Sequence, residues 1–350
     1  MKIIHTADIH LGASPDSEYN WSKSRKEEIW DTFRSLIRKV GEEKADLFLI
    51  AGDLFHRQPL KSELKEVNYL FSQIPHTQVV LMAGNHDYMK KGSYYRNFLW
   101  NENVTFFGSQ KLERVYLKKI HTYVYGLSYE SREIRNACYD ACVPGEEAGF
   151  HILLAHGGDE KHIPIRFPKL ASAGFDYVAL GHIHKPRMFE RGMAYAGTLE
   201  PVDRNDFGSH GYVKVLLTEG DSHMQFVPFA KRSYIPLEIC VHEDMSQSEL
   251  EAVVKEDLRQ NGENNMYHLS LVGVREPDLK YNTDRLLHQG RIVSAEDYTE
   301  PALDMEILHQ QYDGTIIGAY IEQFPEEPEG LELKALQYGI QALLETKRKL

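Results

Sequence analysis

The sequence predicts an α/β fold: two sheets packed face to face with helices outside, an αββα sandwich, followed by a small βαβ unit and a helical tail. Three observations lead there. Short apolar runs near the start, such as Leu47-Phe48-Leu49-Ile50-Ala51 and Val79-Val80-Leu81-Met82, read as buried strands that end at glycine. They alternate with stretches of helical spacing, and the resulting βαβαβ order builds a parallel sheet. After His184 come shorter strands of alternating polarity, which suit a second sheet.

Taken in order, Lys2 to Ala7 is a first strand ending at Asp8-Ile9-His10. Trp21 to Ala45 has helical spacing through Ile29, Trp30, Phe33, Leu36, Ile37 and Val40, with Ser24 and Glu27 as a capping box. The second strand ends in Gly52-Asp53-Leu54-Phe55. A helix from Ser62 to Gln73 leads into the third, which closes at Ala83-Gly84 and presents Asn85-His86-Asp87; a glycine there lets the chain turn sharply. Strands at 104–107, 114–118 and 122–125 precede a predicted helix from Ser131 to Cys142. The runs 150–155 and 176–180 lead into His156-Gly157-Gly158 and Gly181-His182-Ile183-His184. The later strands fall at 187–190, 194–196, 211–217 and 223–228.

A boundary near Ala230-Lys231-Arg232-Ser233 closes a domain of residues 1–230. Residues 231–290 form the βαβ unit: strands at 234–241 and 267–274 around a helix from Ser246 to Gln260, capped by Ser246 and Glu249. Residues 275–301 are polar and loosely patterned. The tail, residues 291–350, carries two predicted helices, Pro301 to Phe324 and Gly330 to Lys349, separated by Pro325-Glu326-Glu327-Pro328.

At 350 residues and 42% hydrophobic content the chain can build a substantial core. It has no apolar run of about 18 residues, so no transmembrane helix is expected. The opening residues do not resemble a signal peptide. Cys138, Cys142 and Cys240 lack paired zinc spacing and read as reduced thiols of a cytoplasmic protein. The net charge of −12 argues against a broad nucleic-acid-binding surface. From Glu300 to Leu350, however, ten acidic residues face four basic ones, so about half the excess sits in the tail. A local basic surface remains compatible with the rest.

The chemistry lies at five strand ends. They supply Asp8 and His10, Asp53, Asn85 and His86, His156, and His182 and His184. Carboxylate, amide oxygen and imidazole without thiolate suit manganese, iron or zinc, and the donors are too many for one tetrahedral ion and suit two ions sharing a bridge. The i, i+2 spacing of Asp8 and His10, and of His182 and His184, would put each pair on one side of an extended segment. Histidines also occur by chance at strand ends, and His5, His76, His121, His151, His210, His223 and His268 are assigned to surface or core roles. Asp87 reads as a residue that supports the turn.

In this order the motifs resemble those of the calcineurin-like metallophosphoesterases. Thr6-Ala7-Asp8-Ile9-His10 and Gly52-Asp53-Leu54-Phe55-His56 are closer to one branch, the SbcD-type nucleases that act in DNA repair with an SMC-like ATPase. The resemblance covers the first 230 residues well, and the βαβ unit more loosely resembles that branch's capping domain. It implies that Asp8, His10 and His184 hold a first metal, that Asn85, His156 and His182 hold a second, and that Asp53 bridges them. His86 would then act on the phosphate as a catalytic residue, and His56 would face the substrate.

The implied function is a manganese-dependent DNA exo/endonuclease, with the tail docking the ATPase and the chain forming a homodimer. The alternatives are a phosphodiesterase or phosphatase for small molecules, which the acidity favours, and a non-catalytic scaffold. No G-x-x-x-x-G-K-[ST] occurs, so ATP dependence would need another chain. Lys90-Lys91, Arg57 with Lys61, and Lys185 with Arg187 follow the site motifs and could meet a phosphate backbone or simply be solvated.

Overall fold

The computed structural model describes residues 1–277, 279–302, 305–325, 328 and 330–347, with the backbone alone at 305, 306, 345 and 347. The chain divides into two compact units: Met1–Pro236 with Asn264–Tyr267, and Leu237–Glu263 with His268–Leu350.

The first unit begins with β1 (Lys2–Thr6), α1 (Arg25–Glu42), β2 (Leu47–Ile50), α2 (Lys61–Ser72), β3 (Gln78–Leu81) and β4 (Val104–Phe106). β1 to β4 run parallel, and the antiparallel pair β11 (Gly211–Thr218) and β12 (Asp221–Pro228) completes a six-stranded sheet on the β1 side. The second sheet contains β5 (Glu113–Leu117), β6 (Thr122–Gly126), β7 (Phe150–His156), β8 (Tyr177–Gly181), β9 (Arg187–Phe189) and β10 (Met193–Tyr195), in the order β5-β6-β7-β8-β10-β9. Its central strands β6, β7, β8 and β10 are parallel.

Side-chain alternation explains the layers. Ile3, Leu47, Leu49 and Val80 face the second sheet and pack with Ile152, Leu154, Ala179 and Ala194. Their neighbours Ile4, Phe48, Ile50, Val79 and Leu81 face outward against Ile29, Phe33 and Leu36 of α1 and Leu64, Val67 and Phe71 of α2. Both faces are buried, so the strands read as continuous apolar runs. The second sheet packs Leu153, Val178 and Leu180 outward against Tyr139 and against Leu170 of the short helix α3 (Phe167–Ala171). At the carboxyl ends the sheets close tightly: a Cβ on Gly181 would overlap Ala51 O. That approach brings the loops of the two sheets to one place.

Two expected features differ. The segment 131–142 forms only a 3-10 turn at Cys138–Ala141. Ile134 instead makes a parallel bridge to His162, with Ile134 N donating to Lys161 O at 2.9 Å. Buried Ile134, Tyr139 and Cys142 cover the second sheet from an irregular path, so tertiary pairing overrides the helical spacing. Secondly, α1 is preceded by a 3-10 turn, Asn20–Ser24, so Ser24 is already helical and makes no capping bond. Its hydroxyl donates to Glu28 at 2.6 Å.

In the second unit α4 (Gln247–Asn261) starts at the expected capping box. β13 (Tyr234–Val241), β14 (Met266–Arg275) and β15 (Ile292–Asp297) form a sheet in which β16 (Glu300–Pro301) also pairs with β14. β15 lies within the stretch read as loosely patterned. One short helix, α5 (Thr283–Leu286), precedes it. The expected helix from Pro301 to Phe324 is broken into α6 (Met305–Tyr312) and α7 (Ile316–Ile321). Gly314 turns with φ +68°, and the Thr315 hydroxyl caps α7 at Gly318 N. α8 (Gly330–Lys347) follows, and Leu308, Ile317, Ile321, Leu336 and Ile340 pack together. Glu326, Glu327 and Glu329 around the Pro-Glu linker, and the end of the expected last helix at Arg348 and Lys349, lie outside the described residues. Among the described residues no helix is long and apolar enough to cross a membrane.

Candidate metal centre

The loops after β1, β2, β3, β7 and β8 bring all nine singled-out side chains to one end of the two sheets. The backbone there is unusual. Asp8, His10 and Asp53 sit at φ +49°, +51° and +49°, and His182 at +97°. Left-handed conformations are uncommon for residues with a Cβ and cluster where function requires them. The Asp8-Ile9-His10 and His182-Ile183-His184 segments are therefore not extended, contrary to the simple spacing argument. Asp8 and His10 converge because the chain turns, whereas His182 and His184 join different donor groups. Neighbouring main chain fixes that turn: Asp8 N donates to Gly52 O at 3.2 Å and His10 N to Asp53 O at 3.0 Å.

Gly84 likewise has a different reason from the one its position suggests. It is not left-handed; a Cβ there would overlap Asp53 Oδ1, so glycine is needed for close approach. Asp87, fully buried, accepts from Gly84 N at 2.8 Å, Phe55 N at 3.1 Å and the Tyr95 hydroxyl at 2.8 Å. Its carboxylate ties the β2 and β3 loops together and is spent on that task.

The donor atoms form overlapping groups. Asp8, His10 and His184 offer three ligand atoms within 4.8 Å of one another. His10 Nε2 lies 3.3 Å from His184 Nε2. Asn85 Oδ1 stands 2.8 Å from His156 Nε2 and 3.0 Å from His182 Nδ1. Asp53 lies between these groups: Oδ2 is 3.5 Å from His156 Nε2, and Oδ1 accepts from His86 N at 2.8 Å. His86 and His56 flank the open side with ring centroids 5.1 Å apart, and both rings also contact His10.

Charge in this pocket is strongly perturbed. Burial pushes Asp8 up to about 6 despite the nearby imidazoles. Burial also opposes ionisation of Asp53, but His156, His10 and His86 outweigh it and hold that carboxyl well below its usual range. Burial drives His10 well below its ordinary value and His182 to about 4, so both imidazoles are neutral at pH 7. Burial acts to lower His156 as well, but Asp53 outweighs it and raises that ring to about 9. His10 Nδ1 is buried with no hydrogen-bond partner. Imidazoles crowded edge to edge, His10 and His182 neutral among them, beside two buried carboxylates and an amide oxygen, fit divalent cations of borderline hardness.

Three contributing residues escaped the sequence analysis. Asp159 Oδ2 lies 2.7 Å from His182 Nε2 and 2.9 Å from His162 Nδ1. Asp206 meets His184 Nδ1 at 3.1 Å. Carboxylates of this kind fix the ring orientation and tautomer of a ligating histidine. The order His156-Gly157-Gly158-Asp159 hinted at the first, since a carboxylate shortly follows the histidine. Nothing local marks Asp206 or His162.

Residues 1–186 match the calcineurin-like phosphoesterase model, more than half of the chain, and the protein belongs to that family. The metallophosphoesterase YhaO of Bacillus subtilis is 30% identical over 250 residues, covering 65% of this chain and 60% of that one. The DNA double-strand break repair protein Mre11 of Methanocaldococcus jannaschii is 30% identical over 227 residues, covering 59% and 58%. A subunit of the nuclease SbcCD from Staphylococcus epidermidis is 22% identical over 369 residues, covering 93% and 94%. The match thus spans about three fifths of the length of the first two relatives.

Proposed function

We propose that this chain is a two-metal phosphodiester hydrolase acting on DNA, the nuclease subunit of a cytoplasmic break-repair complex with an SMC-like ATPase. One observation carries the reading: five loops from two sheets converge Asp8, His10, Asp53, Asn85, His156, His182 and His184 on one centre and leave His86 beside it. The Mre11 relative, a double-strand break repair protein, supports the DNA substrate. The SbcCD relative, one subunit of a nuclease, supports a multi-subunit assembly.

Asp8, His10 and His184 would hold one cation and Asn85, His156 and His182 the other, with Asp53 shared. Manganese suits the mixed oxygen and nitrogen donors, with iron and zinc as the other candidates. A cation pair supplies Lewis acidity toward a phosphoryl oxygen and lowers the pKa of water. The protein's own groups do the rest. Main-chain N–H groups of His86 and His182 pin the Asp53 and Asp8 carboxylates, so that neither reorients during turnover. The His86 ring, half-buried with Nδ1 3.3 Å from His56 O, can deliver a proton to the departing oxygen. His56, exposed at the rim, faces arriving substrate.

The test compares bis(p-nitrophenyl) phosphate with linear double-stranded DNA in manganese. Turnover of both is expected. Turnover of the aryl ester with none on DNA, even beside a cognate ATPase, would leave the small-molecule phosphodiesterase reading instead.

A further inference from the structure

A cavity of about 480 Å³ opens beside the metal centre, lined by Gly158, Phe167, Ile183, Pro186 and Tyr195, with Lys185 and Arg187 at its edge. It adjoins the centre through the chain itself. Ile183 separates His182 from His184, and Gly158 follows two residues after His156. Its volume falls in the usual range for small-ligand sites, roughly 300–1,000 Å³.

The cavity has a defined chemistry. Phe167 stacks on Phe189 with centroids 5.1 Å apart and 18° between planes, and it meets Tyr195 edge-on at 6.1 Å. Tyr195 is fixed by its hydroxyl, which donates to Gly157 O at 2.7 Å. A Cβ at Gly158 would overlap that same hydroxyl, so the glycine keeps this wall open. Arg187 lays its guanidinium 4.4 Å over the Phe189 ring. No ion pair to either Lys185 or Arg187 occurs among the described residues. In a chain of net charge −12, this is a locally cationic rim on an aromatic pocket.

We propose that this cavity receives the unpaired base of the nucleotide whose phosphate lies at the metal centre. A planar, weakly polar ring attached to an anion is what flat apolar walls and a cationic rim select. A base held in duplex cannot enter without leaving its stack, so the cavity favours frayed, mismatched or overhanging ends over fully paired ones. This rests on the phosphodiester hydrolase reading and adds to it a preference about substrate form.

The manganese-loaded full chain is titrated with deoxyadenosine 5′-monophosphate and with deoxyribose 5-phosphate, which lacks the base. The first should bind the wild type roughly ten- to hundred-fold more tightly, the span expected of base stacking on aromatic side chains. Phe167→Ala and Arg187→Ala should erase that difference. Arg187 is exposed, so its variant reports even if Phe167→Ala loosens the fold. Equal binding of the two ligands by the wild type, or a full difference retained in both variants, overturns the proposal. DNA cleavage is measured on the same preparations. Cleavage without base-dependent binding refutes the cavity's role alone; base-dependent binding without cleavage, even beside a cognate ATPase, refutes the nuclease reading alone.

Discussion

The two sheets hold their shares of the centre by different means. On the first, Asp8, Asp53 and the turn-building Asp87 are clamped by main-chain N–H donors, and Asp8, His10 and Asp53 sit in left-handed backbone. On the second, imidazoles are steadied largely through their far nitrogens. His156 Nδ1 contacts Ala51 O at 2.8 Å, His182 Nε2 contacts Asp159 and His184 Nδ1 contacts Asp206. The first half is therefore set by the path of the backbone, whereas on the second His182 and His184 lean on carboxylates that a single substitution can remove. Geometry is inherited from the fold on one side and, at these two rings, adjustable on the other.

The most severe way to break this arrangement is at Asp53, which lies between the two donor groups. Asp53→Ala should release both ions, read by elemental analysis, and lower turnover of bis(p-nitrophenyl) phosphate by about a thousand-fold, since metal stabilisation is worth several kcal/mol. Two ions retained would count against a bridging carboxylate. His86→Ala should cost about 10²–10⁴ in kcat, the span of a lost general acid, while both ions stay bound. Loss of an ion in that variant would move His86 into the ligand set.

The contrast itself is tested by Asp159→Ala and Asp206→Ala. Each should weaken manganese binding about 10–100-fold, with partial recovery on substitution by Asn, which still accepts a hydrogen bond. Affinity unchanged in both, measured by titration calorimetry, would mean that the second half is also set by its backbone.

A smaller effect is expected where the frame common to both halves is stapled. Glu28 pairs with buried Arg25 at 2.9 Å and with Arg232, while burial opposes its charge; the hydrogen bonds from Arg232, Ser24 and Arg25 win, bringing it down to about 2. A carboxyl depressed in the folded state stabilises above its unfolded pKa and loses that contribution as pH falls through the folded value. Glu28→Gln should thus cost about 1–2 kcal/mol at pH 7, a charged hydrogen bond discounted for its partial exposure. The gap to wild type should close between about pH 4.5 and pH 2 in denaturant unfolding. A pH-independent gap would assign the cost to packing.

Much of the candidate centre was legible in the chain because its donor residues stand at strand ends, where apolar runs make the strands conspicuous and five polar motifs recur in order. The legible part stops where contacts become remote. Asp206 reaches the His184 it orients only by a loop that returns to the site, and no spacing announces that return. The helix expected at 131–142 failed for a related reason. Helical periodicity and an irregular segment burying Ile134, Tyr139 and Cys142 give the same pattern of apolar residues.

By itself the sequence determined the alternation of strand and helix, the two buried faces of the first sheet and the strand ends at which the candidate donor residues stand. These follow from local patterning, which a single pass along the chain contains. The tertiary structure decided how those motifs meet. It set Asp8, His10 and Asp53 in left-handed backbone and brought Asp159 and Asp206 onto His182 and His184. It also gave the Asn85-His86-Asp87 turn its glycine, since Gly84 is required by the Asp53 carboxylate pressed against it. Such choices depend on atoms that approach only after the two sheets have closed.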